Sequence, residues 1–224
     1  MTKQEALYQH VIRLADDALI LGHRLSELCG RGPLIEEDLA LTNISLDMTG
    51  RAESLFKYAS EIKNDGKTSD DLAFRRAEIG YRNHLLVEQK NDDFAHTIAR
   101  QLFQSAFAYF FYSNLEKTKD TAISGIASKT IKEIKHHLQH ASDWVIRLGD
   151  GTEESKRRMQ KAIDELWMYT GELFEMDEIE NSLLKDGLTA DLVPIKSQWQ
   201  NKIQSILNEA TLQMPEDIYH ANRR

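Results

Sequence analysis

Apolar residues recur at helical spacing along almost the whole chain. Leu7, Val11, Leu14, Ala18, Leu21, Leu25 and Leu28 alternate steps of four and three, the stripe of a helix over 3–29 with one packed face. "CGRGP" (29–33) then breaks the helix with two glycines and a proline. A second helix is expected over 34–62, with Leu41, Ile44, Met48, Leu55, Ala59 and Ile62 on one side. Leu39 and Leu46 lie nearly opposite, which predicts protein contact on two sides. After the polar stretch "KNDGKTSDD", a helix over 69–89 is expected with Ser69 as its cap. "FAHTIARQLFQSAFAYFFYSNL" predicts a helix over 92–118 with aromatics all round, as suits the centre of a bundle. Ile131, Ile134, Leu138, Ala141, Val145 and Leu148 form a one-sided stripe over 120–148. Beyond "LGDGTEES", where Thr152 and Ser155 suit a cap, shorter helices are expected over 152–173, 175–185 and 190–211. There is no internal repeat, low-complexity segment or convincing strand. The pattern predicts an all-α, ferritin-like four-helix bundle with additional helices. It reads as one domain over 1–224, with core helices at about 3–62 and 92–148 and accessory helices at about 152–211.

Composition narrows the functions rather than the fold. Hydrophobic residues are 41% and charged residues 29%, with only 3 prolines in 224 residues, which favours few, long elements. The net charge is -8, and no basic run marks a nucleic-acid surface. No stretch approaches the ~18 apolar residues of a membrane span, and "MTKQEALYQH" has no apolar signal core. Cys29 is the sole cysteine, so no intrachain disulfide forms and a cytoplasmic setting is expected.

One stretch raises metal chemistry. "TIKEIKHHLQHASDW" (130–144) contains Glu133-x-x-His136, and Glu-x-x-His on a helix is half of the ligand set of a carboxylate di-iron bundle. At about 100° per residue, His136 points roughly 170° from the apolar stripe, Glu133 about 110° and His137 about 70°. Glu133 and His137 are therefore the semi-buried pair, read first as a structural hydrogen bond or ion pair. On the second helix Asp47 is followed by Gly50 where a histidine would be needed, and Arg51 one turn on suits an ion pair. The fourth predicted helix has no Asp or Glu between Asp93 and Glu116, so its interior supplies no carboxylate. On the first helix Asp16, His23 and Glu27 share the side opposite the stripe, ordinarily a solvated face or else a second, polar packing face, since Ile12 and Leu19 lie on it. Asp16, Asp47, Glu133 and His137 remain as candidate vestigial ligands, and the set is broken in at least two helices of four. There is no Gly-x-Gly-x-x-Gly or phosphate-binding loop. Trp144, Trp167 and Trp199 stand on three helices and read as bundle packing.

The segments "LADDALILGHRLSELCGRGPLIEEDLALTNISLDMTGRAE", "LLVEQKNDDFAHTIARQ", "TIKEIKHHLQHASDWVIRLGDGTEES" and "AIDELWMYTGELFEMDEIE" resemble the C-subunit family of bacterial phenylacetyl-CoA epoxidases. These enzymes are also called ring-1,2-epoxidases or phenylacetate-CoA oxygenases. The resemblance runs through "LNEATLQMPE" and covers nearly the whole chain. It implies a ferritin-like, non-catalytic structural subunit that supports a catalytic A subunit in aerobic phenylacetate catabolism. The A subunit is expected to carry the di-iron centre and epoxidise the aromatic ring. A small B subunit and a reductase using flavin, an iron–sulfur centre and NADPH complete the implied complex. The resemblance implies no cofactor in this chain. It places Glu133 and His137 on the shared pattern and gives Asp16 and Asp47 no role in holding iron. Members of the family usually continue beyond "IYHANRR" (218–224), so a shortened C-terminus is an expectation here.

Three functions stay open at this point. The first is a structural subunit whose outer face at Leu39 and Leu46 meets a partner. The second is a catalytically competent iron oxygenase using a degenerate site of Glu133, His137, Asp47 and Asp16. The third is a stand-alone helical homo-oligomer acting as a scaffold.

Overall fold

The computed structural model describes residues 1–216, and the expectation for 218–224 lies outside the described residues. Among the described residues, nine α-helices and two 3-10 turns account for the regular structure, with no strand. The fold is all-α. Helix α1 (Lys3–Ser26) and α2 (Ile35–Lys63) form one long pair. They approach closely at Gly22, where an added Cβ would lie 3.2 Å from Thr49 Oγ1, and Ser45 Oγ donates to the Gly22 carbonyl at 2.8 Å. The turn between them is tied by one carboxylate oxygen: Asp38 Oδ1 accepts from the N–H groups of Gly30, Arg31 and Gly32 at 2.7–3.1 Å. Gly30 has φ +77°, and a Cβ on Gly32 would come within 2.7 Å of the Asp38 backbone. The two glycines of "CGRGP" are thus required by backbone conformation and space.

A long crossover links this pair to α5 (Phe94–Leu115) and α6 (Thr121–Gly149). One long crossover between two helix pairs is the ferritin-like connection. The crossover departs from the sequence expectation of a continuous helix over 69–89. It holds only α3 (Ser69–Phe74), a 3-10 turn at Glu78–Gly80 and the single turn α4 (Leu85–Glu88). The N-cap is Thr68, in a capping box with Asp71, rather than Ser69. The physical reason is tertiary. Backbone N–H groups of the crossover turn away from each other to reach carboxylates on other elements: Arg82 to Asp16 at 2.8 Å, His84 to Asp17 at 2.7 Å and Leu85 to Glu172 at 2.9 Å.

Helix α5 is buried on nearly every side. Its buried Arg100 donates to the Gln89 carbonyl and to Asn91 Oδ1, fixing the end of the crossover. Helices α7 (Glu153–Trp167) and α9 (Leu192–Glu209) pack on α5 and α6, and α8 (Glu178–Asp186) packs on α1. α7 starts at the Thr152–Ser155 capping box. A second 3-10 turn over Gly171–Phe174 replaces the last part of the helix expected to reach 173. The main apolar cluster draws on α1, α2, α3, α5, α6, α7 and α9 together. Trp167 and Trp199 lie in one aromatic group with Phe103 and Phe174, whereas Trp144 packs edge-on against Phe94.

Candidate functional site

The four core helices each carry polar groups in or beside the bundle interior, of which Asp47 and Glu133 stay partly exposed. Asp17 comes from α1, Asp47 and Arg51 from α2, Gln104 and Tyr112 from α5, and Glu133 and His137 from α6. Their distribution follows the helix periods: Asp47 and Arg51, like Glu133 and His137, are one turn apart on the flank of their stripes. The pairing runs between helices rather than along them. His137 Nε2 lies 2.8 Å from Asp47 Oδ2, and no hydrogen bond joins Glu133 to His137 or Asp47 to Arg51. This corrects the two intrahelical pairs expected from i, i+4 spacing. α2 and α6 pack side by side, so the facing helix offers His137 a better-directed acceptor than its own neighbour does.

Arg51 is buried, with its guanidinium carbon 5.1 Å from the Tyr112 ring centroid. Its Nε and Nη2 have no hydrogen-bond partner among the described residues. Burial pulls the guanidinium below its ordinary pKa, against the upward pull of Tyr112, Glu133 and Asp47. Burial likewise lowers His137, and Arg51 adds to that against the hydrogen bond to Asp47. Facing a carboxylate oxygen, His137 Nε2 carries a proton and donates it. Burial raises Glu133, as does the nearby Asp47, with Arg51 opposing. A cavity of about 20 Å³ lies beside Asp17, Met48, Arg51, Gln104 and Tyr112, room for one water between the Arg51 donors and the unpartnered Gln104 Oε1.

The other sequence candidates fall elsewhere. Asp16 is 0% exposed, not on a solvated face. Arg76 forms a two-pronged ion pair with it, and the N–H of Arg82 also donates to it. The crossover covers that side of α1, which periodicity within α1 cannot reveal. His23 and Glu27 on the same side are exposed, His23 stacked on Phe74 and Glu27 paired with Arg24. His136 is exposed, and His140 Nε2 lies 2.8 Å from Glu37. Leu39 and Leu46 are 58% and 64% exposed, in line with Ile35 at 72%. Gly50 continues the line with open space around it. Asp17, Gln104 and Tyr112 are not singled out by the sequence. Only a helical wheel drawn for the two-sided packing of α1 and the all-round packing of α5 would turn them inward.

These residues do not fit a pair of metal ions. The interior already holds a guanidinium, and its α5 wall contributes an amide and a phenol where a carboxylate would be needed. Among the described residues no three His, Cys, Asp or Glu side chains converge as ligands.

Two further features lie outside this interior. A groove of about 850 Å³ runs between α1 and the crossover, lined by Ile20, Arg24, Ile79, Tyr81, Arg82 and Leu85 among others. At the start of α5, His96 is clamped by two carboxylates, with Nδ1 2.8 Å from Asp93 and Nε2 2.8 Å from Glu165 of α7. Burial opposes protonation there, but the hydrogen bonds to Glu165 and Asp93 prevail and raise its pKa. The folded state therefore holds this proton at pH values where the unfolded chain has lost it. The clamp stabilises fully below the unfolded value of about 6.5 and fades as pH rises through the raised folded value. His96→Gln should accordingly destabilise the protein more at pH 5.5 than at pH 8.5. Thermal melts of both proteins across that range check this, and a pH-independent gap would mean that the charge of His96 contributes nothing.

The comparison with known proteins follows the same lines. The family model described as phenylacetic acid catabolic protein matches residues 1–224. The C subunit of the 1,2-phenylacetyl-CoA epoxidase of Escherichia coli (strain K12) is 42% identical over 211 residues, which is 94% of this chain and 85% of that protein. A ferritin-like bundle with a polar but metal-unfit interior thus meets a match over its full length, and the chain belongs to the phenylacetic acid catabolic protein family.

Proposed function

We propose that this chain is the structural, non-catalytic C-type subunit of a multicomponent phenylacetyl-CoA 1,2-epoxidase in phenylacetate catabolism. It packs against the catalytic A-type subunit, which carries the di-iron centre, and orders that subunit's active-site helices. A B-type subunit and a reductase bringing flavin, iron–sulfur and NADPH chemistry belong to the same reading, as does a cytoplasmic setting. The chain itself holds no cofactor in this reading. The observation that carries it is the unpartnered apolar face of α2, where Leu34, Ile35, Leu39 and Leu46 are each more than half exposed. A stripe of this kind is costly to leave in water and marks a protein contact.

The test is co-expression with the catalytic subunit. Leu39→Glu and Leu46→Glu each place a charge on the stripe without touching the core. Each should weaken assembly at least tenfold, while the melting temperature of the isolated chain stays within about 2 °C of the parent, as for surface substitutions. Size-exclusion chromatography and plasma mass spectrometry read both parts. The pair should carry iron, and the isolated chain should not. Normal assembly of both variants would move the interface elsewhere on the chain. Near-stoichiometric iron in the isolated chain that disappears in Glu133→Ala would make it an oxygenase in its own right.

A further inference from the structure

We infer that the bundle interior binds a single halide ion, such as chloride, on the buried guanidinium of Arg51. The site is separate from the exposed apolar face of α2, and its test involves no partner subunit.

Arg51 is 6% exposed, and a guanidinium keeps its charge inside a protein. No carboxylate among the described residues pairs with it, and Asp47, one turn earlier on α2, is turned to His137 instead. Asp17 borders the same cavity as Arg51, but His84 takes both of its oxygens. The His84 backbone N–H donates to Oδ1 at 2.7 Å, and Nδ1 lies 2.6 Å from Oδ2. The face of Tyr112, with its centroid 5.1 Å from the guanidinium carbon, gives a cation–π contact but no counter-charge. Nε and Nη2 of Arg51 have no hydrogen-bond partner among the described residues. A buried charge without a partner is strongly destabilising, so the guanidinium calls for an acceptor that also carries negative charge.

The cavity that Arg51 borders selects the ligand. At about 20 Å³ it is little larger than one water requires. A monatomic anion enters such a space, whereas phosphate, sulfate and carboxylates do not. Leu14, Leu21, Met48 and Phe107 make much of its wall apolar, and in such a medium the attraction between anion and guanidinium is least screened. Gln104 lines the cavity too, and its Oε1 has no partner. A half-turn of that amide presents its two N–H donors to the ion in place of the oxygen. A water in the same place would accept from Arg51 but leave its charge uncompensated.

The full chain, dialysed into potassium gluconate, is titrated with potassium chloride at constant ionic strength and melted at each step. Gluconate is too large for the cavity and serves as the reference anion. The parent should gain about 5–10 °C at a hundredfold excess of chloride over its dissociation constant. Gln104→Glu brings a carboxylate into the cavity as a built-in counter-ion. It should melt at least as high as the parent in gluconate and no longer respond to chloride. Arg51→Met keeps the bulk, removes the charge and should lose the response as well. Crystals grown in bromide locate the ion: the parent should show one buried anomalous peak within hydrogen-bonding distance of Arg51 Nε and Nη2, and Gln104→Glu should show none there. The inference is overturned if the parent melts at the same temperature in both salts, if Gln104→Glu keeps the chloride response, or if the cavity holds water alone with no anomalous signal. Should Arg51→Met not fold, the parent and Gln104→Glu decide the question.

Discussion

Trp199→Ala should lower stability by about 3–5 kcal/mol, the usual cost of deleting a fully buried aromatic side chain, and the melting temperature by roughly 6–20 °C for a chain of this length. Trp199 is 1% exposed. Its ring centroid lies 5.8 Å from Phe103, 5.5 Å from Trp167 and 5.3 Å from Phe174. Its Nε1–H donates to the Phe103 carbonyl at 3.0 Å. That carbonyl lies in the middle of α5, so the indole joins the last described helix to the central one by packing and by a hydrogen bond. Trp199→Phe separates the two contributions. It keeps an aromatic ring in the cluster but removes the donor, and should cost about 1–2 kcal/mol plus a smaller packing loss. Chemical denaturation of the three proteins gives the comparison. An alanine variant within about 1 kcal/mol of the parent would mean that α9 is a detachable appendage.

Arg76→Met should cost a similar amount, about 3–5 kcal/mol at neutral pH, because it strands a buried carboxylate rather than removing a pair. Asp16 is fully buried, and Arg76 supplies both prongs of its ion pair while stacking over Tyr81 at 4.2 Å. Burial already raises the Asp16 pKa against the pull of Arg76. Without the guanidinium it should rise further above its unfolded value of about 3.9. The folded variant then binds more protons than its unfolded state between those two values, so its stability increases as pH falls through that window. The gap between Arg76→Met and the parent should therefore narrow from pH 7.5 to pH 5. A gap that stayed constant would show that the loss came from the stem of Arg76 against Phe56 and Tyr81 rather than from the stranded charge.

The same residues explain what is legible in the sequence. α1, α2 and α6 announce themselves because each buries a periodic face, and α5 because it is apolar nearly all round. The interior polar positions on α2 and α6 are legible for the same reason: the angle from the stripe places Glu133 and His137 on its flank. Their partners are not, since spacing along one helix says nothing about the neighbour, and His137 finds Asp47 across the interface. The crossover reads wrongly as a helix because Leu72, Ala73, Leu85, Leu86 and Val87 look periodic, while its path is set by Arg76, His84 and backbone N–H groups reaching carboxylates on distant elements, which spacing within the segment cannot show. For Asp16 the sequence leaves a solvated face and a second packing face open, since the element that buries it comes some sixty residues later.

The way the crossover is held has a consequence for how such chains diverge. Beside the inward side chains of Arg76 and His84, Asp16, Asp17 and Glu172 grip it through the N–H groups of Arg82, His84 and Leu85, and every residue except proline supplies such a group. The path of the segment is therefore largely decoupled from the identity of its outward side chains. Ile79, Arg82 and their neighbours, which line the 850 Å³ groove, can drift or be rewritten without unthreading the bundle. The three carboxylates that hold the segment lie on other elements and cannot. Variation between relatives would then accumulate on the wall of the groove while its floor and anchor points stay fixed, leaving a surface that can be retuned on an unchanged frame.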